Sequence, residues 1–168
     1  MEEIRNKVKE SGLISMDLAD FKPNQSLIVS IDIADNLWQG LVLKEKDFRN
    51  YIDTHDWSQY KNQFVHIHCS ADAIVPTWAY MLVASKLVGI ARLALVGSKV
   101  ELEKQVIAFN ILSIDLTDYI DGRIIIKGCA DITSPEFAMV TLVQKLQPIA
   151  KSIMYGEPCS TVPVYKRK

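Results

Sequence analysis

Three cysteines, Cys69, Cys129 and Cys159, are the residues here whose type most readily does chemistry. Thiolates bind zinc or iron well, and three of them with one imidazole or carboxylate complete a tetrahedral set. Candidates for the fourth ligand are His68, His66, Asp72 and Asp131. No Cys-x-x-Cys clamp is present, so any such site must be assembled from distant loops. A second chemistry uses the same thiols, one as attacking thiolate and another as resolving group, in an enzyme or a sulfur carrier. A third reading is inert: cysteine is often buried and packs as a small hydrophobe.

The surroundings of two of them repeat. Cys69-Ser-Ala-Asp72 leads to Pro76, Ala79 and Lys86-Leu87, and Cys129-Ala-Asp131 leads to Pro135, Ala138 and Lys145-Leu146. From each Asp onward the spacing is identical. Each motif follows an apolar run and opens a predicted helix, which places both cysteines beyond the carboxyl ends of strands. Ligand sites of open α/β sheets lie there, and a helix N-terminus close by would stabilise a thiolate. His66 and His68 alternate onto one strand face and form a His-x-His pair.

The elements that must position these residues follow from periodicity. Strands are predicted over 26–33, 41–43, 64–68, 91–96 and 123–126, with the second paired to the first as a hairpin. Helices are predicted over 2–11, 44–53, 76–88, 99–111 and 135–155, the last interrupted or kinked by Pro148 and capped by Gly156. Residues 13–25 read as a loop. Alternating strands and helices imply βαβ units and a parallel sheet. The expected fold is α/β: one three-layer domain over residues 1–168, with a mixed, mainly parallel sheet and helices on both faces. Residues 1–25 form its N-terminal helix and loop, and 157–168 an extended tail. The helix from Pro76 is apolar nearly all round, which suits burial or a homodimer face.

Composition limits the alternatives. The chain has 168 residues, 49% hydrophobic and 23% charged, which is ordinary for a globular domain. Nineteen basic residues against twenty acidic ones argue against binding nucleic acid by phosphate neutralisation. Lys166-Arg167-Lys168 reads as a solvated end. No phosphate-loop, dinucleotide or nucleophile-elbow motif occurs, so no nucleotide cofactor is expected. The opening Met1-Glu2-Glu3-Ile4-Arg5 lacks the apolar core of a signal peptide, and no apolar run reaches the ~18 residues of a membrane span. A cytoplasmic protein with reduced thiols, away from membranes, is the expectation.

Residues 69–82 (Cys-Ser-Ala-Asp-Ala-Ile-Val-Pro-Thr-Trp-Ala-Tyr-Met-Leu), Lys127-Gly-Cys129 and 152–164 (Ser-Ile-Met-Tyr-Gly-Glu-Pro-Cys-Ser-Thr-Val-Pro-Val) carry a resemblance. With Leu43-Lys-Glu-Lys-Asp-Phe-Arg49, they make the whole chain similar to a bacterial family, Domain of Unknown Function 2480, found mainly in Bacteroidetes. All three cysteines fall in its motifs, and His66 and His68 stand outside them. The resemblance implies a neighbourhood with iron–sulfur assembly of the sulfur-mobilisation type, and hence assembly proteins as partners. The leading expectation is a metal-binding accessory, holding zinc or iron through Cys69, Cys129 and Cys159 with Asp72, Asp131 or His68 nearby. A thiol enzyme or sulfur carrier, and a non-catalytic homo-oligomeric module with buried cysteines, are the alternatives.

Overall fold

The computed structural model describes residues 12–128 and 131–168. The predicted helix over 2–11 and Cys129 lie outside them. The chain divides into two compact units: Pro23–Val106 is one, and Met1–Lys22 with Ile107–Lys168 is the other.

In the Pro23–Val106 unit, β2 (Ile28–Asp32), β3 (Phe64–His68) and β4 (Leu93–Val96) form a parallel sheet in that order. Helix α1 (Glu45–Thr54) connects β2 to β3, and α2 (Thr77–Leu87) connects β3 to β4. Successive residues of β3 serve opposite faces, as the strand period demands. Val65 and Ile67 pack with Phe48 and Ile52 of α1 and Ala79, Val83 and Leu87 of α2. Phe64 packs on the other side with Leu102 and Val106 of α3 (Lys99–Leu112). Helices therefore cover both faces of this sheet.

The other unit has β1 (Leu13–Asp17), β5 (Arg123–Lys127), β6 (Ser152–Glu157) and β7 (Ser160–Lys166), in the order β1-β5-β6-β7. The first two pairings are parallel and the last is antiparallel. Met16, Ile124, Ile126 and Ile153 pack against Ile107 and Ile111 of α3 and Ala138, Leu142 and Leu146 of α4 (Pro135–Leu146). One continuous helix, α3, thus supplies side chains to both cores, which explains why it is apolar on more than one side.

The α/β class and the mainly parallel, mixed strand pairing are as expected, with the strands shared between two sheets. Three local expectations change. Residues 13–17 are a strand instead of a loop, because they pair in register with β5, more than a hundred positions away. Residues 41–43 form no strand against β2. Gln39 and Gly40 take left-handed conformations (φ 53° and 70°), and Trp38 N–H closes onto the Val42 carbonyl at 2.8 Å. The helix from Pro135 stops at Leu146, and 152–157 is β6. Pro148 has no N–H to donate back into the helix, which ends although Gln147 still keeps helical backbone (φ −54°, ψ −39°). Ser160–Lys166 of the expected tail is β7, paired antiparallel with β6.

Candidate functional site

The repeated motif proves to be a repeat of packing. Ala79, Val83 and Leu87 occupy in α2 the positions that Ala138, Leu142 and Leu146 occupy in α4, and all six are buried. The small Ala lets each helix approach its sheet, and the Leu seals the last turn. The Lys side chains of the motif face outward: Lys86 pairs with Asp53 at 3.5 Å, and Lys145 donates to the Leu112 carbonyl at 2.9 Å.

A second echo, not used in the sequence reading, lies at the ends of the first strands. Ser15-Met-Asp17-Leu-Ala19-Asp20 ends β1, and Ser30-Ile-Asp32-Ile-Ala34-Asp35 ends β2. Asp17 accepts from Ala19 N–H at 2.9 Å, and Asp32 accepts from Ala34 N–H at 2.9 Å. Each carboxylate caps a short 3-10 turn whose first residue, Leu18 or Ile33, is fully buried. Register then sets Asp17 beside Lys127 and Asp32 beside His68. The S-x-D-x-A-D spacing was the signal that could have found Asp32.

Asp32 does more than cap. Its Oδ1 also accepts from Ser70 N–H at 3.0 Å, which ties the end of β2 to the loop after β3. Burial by itself would raise its pKa. The Ser70 hydroxyl, the Ser70 and Ala34 N–H groups and the nearby His68 outweigh that and hold the carboxyl below the ordinary value. His68 Nδ1 stands 4.0 Å from the same oxygen, at one-third side-chain exposure. The His66 and His68 rings stack with centroids 5.1 Å apart. His66 Nδ1 lies 3.3 Å from the Gly97 carbonyl oxygen. Burial, reinforced by the charges of His68 and Lys99, keeps the His66 imidazole below its usual pKa despite that hydrogen bond. Tyr80 of α2 has its phenol pKa raised by burial and by the charges of Cys69 and Asp32, so it stays a neutral donor near pH 7. The carboxyl end of this parallel sheet therefore holds a carboxylate and two imidazoles.

The expected metal ligands do not assemble. Among the described residues, no group of three or more His, Cys, Asp or Glu side chains is placed to hold a metal ion. Cys69 and Cys159 are free thiols in different units, and Cys129 lies outside the described residues. Cys69 is half-buried against the core of its unit, and its Sγ lies 3.5 Å from the Ala71 carbonyl oxygen. Helix α2 starts only at Thr77, so its N-terminus is not directly behind Cys69. Cys159 is exposed in the turn between β6 and β7. Asp72 is exposed in the loop after β3, and Asp131 is exposed and paired with Lys22 at 3.5 Å. Of the expected set, Asp131 meets Lys22 and His68 faces Asp32, a carboxylate on the neighbouring strand. The metal-binding reading, with the iron–sulfur accessory role built on it, is overturned.

No helix among the described residues is long and apolar enough to cross a membrane. No curated protein matches the chain, and no solved structure matches it. A family model described as "Protein of unknown function (DUF2480)" matches residues 2–167, nearly the whole length. The chain belongs to the DUF2480 family.

Proposed function

We propose that the carboxyl end of the β2–β3–β4 sheet is an acid–base site for a small polar molecule, with His68 exchanging the proton and Asp32 positioning it. The observation that carries this reading is the 4.0 Å approach of Asp32 Oδ1 to His68 Nδ1 at one register position of two parallel strands. A carboxylate facing one ring nitrogen leaves the other nitrogen to exchange a proton with a bound molecule. Neutral His68 takes a proton at Nε2, the resulting imidazolium is stabilised by Asp32, and the same proton is returned to the product. The cycle needs no oxidant or co-reactant.

Diethyl pyrocarbonate, read peptide by peptide by mass spectrometry, tests this. His68 is expected to react faster than His66, and Asp32→Asn to slow it by roughly threefold to tenfold. Asn retains an oxygen for the Ala34 and Ser70 N–H groups, so the loop stays tied while the charge is lost. Equal reactivity of His68 in both proteins would sink the proposal.

A further inference from the structure

A different feature lies in the other unit. Helix α4 and strands β5, β6 and β7 enclose a cavity of about 310 Å³. Met139, Val140 and Val143 form its helical wall, and Ile126, Tyr155 and Val164 its strand wall. Gln144 also borders the space, whose surface is almost wholly apolar, and no charged side chain lines it.

Two backbone features shape this space. The β6–β7 pairing shifts register between Ile153 and Met154: Ile153 faces Tyr165, and Met154 faces Pro163. Val164 is therefore the extra residue of a bulge, and bulges re-aim side chains beside sites. At the end of β5, a Cβ on Gly128 would stand 2.6 Å from Tyr155 Cε2 and 2.7 Å from Met139 Cε. Glycine there lets both side chains close over the strand end.

We propose that this cavity binds a neutral, largely apolar small molecule. The volume sits at the lower end of small-molecule sites, ~300–1,000 Å³. The uncharged lining selects against an ion, since a charge moved into it loses hydration with no partner. Methionine at the wall adapts to varied apolar shapes. Val140 and Val164, each more than half exposed, place the mouth at the surface.

Titration of the full chain with 1-naphthol, followed by amide NMR, tests the proposal. Shifts are expected at Val140, Val143, Tyr155 and Val164, with 1-naphthoate binding at least roughly tenfold more weakly because of its charge. Val140→Lys and Val164→Lys, both at exposed rim positions, are expected to weaken 1-naphthol by roughly tenfold or more with the rest of the spectrum unchanged. The proposal is overturned by the absence of shifts at these residues up to about 1 mM probe. Undiminished binding by both variants overturns it too, as does tighter binding of the carboxylate. A dimer in sedimentation that the two lysine variants dissolve, without 1-naphthol binding, would give the surface to a second copy instead.

Discussion

Asp32 and His68 meet at one register position of adjacent parallel strands, 4.0 Å apart between Oδ1 and Nδ1. The equivalent position of the other sheet sets Asp17 beside Lys127. An acid therefore faces a base at both strand ends, but only histidine has its ordinary pKa close to neutrality. Lys127 is also engaged by Glu157 at 3.2 Å. The two ends share a frame and differ in what that frame can do with a proton.

Asp32 gives the first prediction. Its folded-state pKa lies below the ordinary 3.8, so the folded chain binds that proton less readily than the unfolded chain. The stability it contributes is complete above the ordinary value and is lost as pH falls through the lowered one. Asp32→Asn is expected to flatten the acid limb of a urea-denaturation series across that range. An unchanged acid limb would show that the carboxylate contributes nothing there.

Tyr51 works at the other extreme of pH. Burial, followed by the charges of Tyr60 and Asp35, outweighs a hydrogen bond with Asn36 and pushes its phenol up to about 12. The folded state keeps this proton longer than the unfolded state. Its contribution is full below 10.0 and is lost as pH rises through about 12. Tyr51→Phe is expected to remove part of that alkaline loss, measured by circular dichroism against pH. A variant that unfolds along the wild-type curve would contradict it.

Gly156 is a backbone requirement. Its φ is +117°, and a Cβ there would stand 2.5 Å from the Ser160 carbonyl oxygen across the β6–β7 hairpin. Gly156→Ala is expected to cost roughly 1–3 kcal/mol in denaturant unfolding. A loss no larger than experimental error would show that the hairpin shifts freely.

The thiols should separate by access. Cys159 is exposed in its turn, whereas Cys69 is half-buried with its Sγ 3.5 Å from the Ala71 carbonyl oxygen. Iodoacetamide, resolved by peptide mass spectrometry, is expected to label Cys159 at least roughly tenfold faster than Cys69. Faster labelling of Cys69 would reopen thiol chemistry at the end of β3.

Much of the fold was legible in local pattern. The alternation at β2, the apolar run of β3 and the i, i+4 spacing of Phe48 and Ile52 each named their element. β1 was hidden because five residues ahead of a turn carry little signal until β5 pairs with them. β6 was hidden because its apolar residues continue the helical run of α4, and only Pro148 marks the break. Among site residues, His68 was visible as half of a His-x-His pair. Asp32 looked like an ordinary strand end.

The amino-acid sequence by itself determined the α/β class, the helix and strand alternation and the repeated Asp-Pro-Ala-Lys-Leu spacing, because periodicity and turn chemistry act over a few residues. Only the tertiary structure decided what that spacing is for. It buries Ala79 with Leu87 and Ala138 with Leu146, and it leaves Cys69 and Cys159 in separate units. Which charges meet depends on register between strands joined by long connections. That register is chosen by burial of whole strand faces, so Asp32 found His68 through the packing of Ile31 and Ile67.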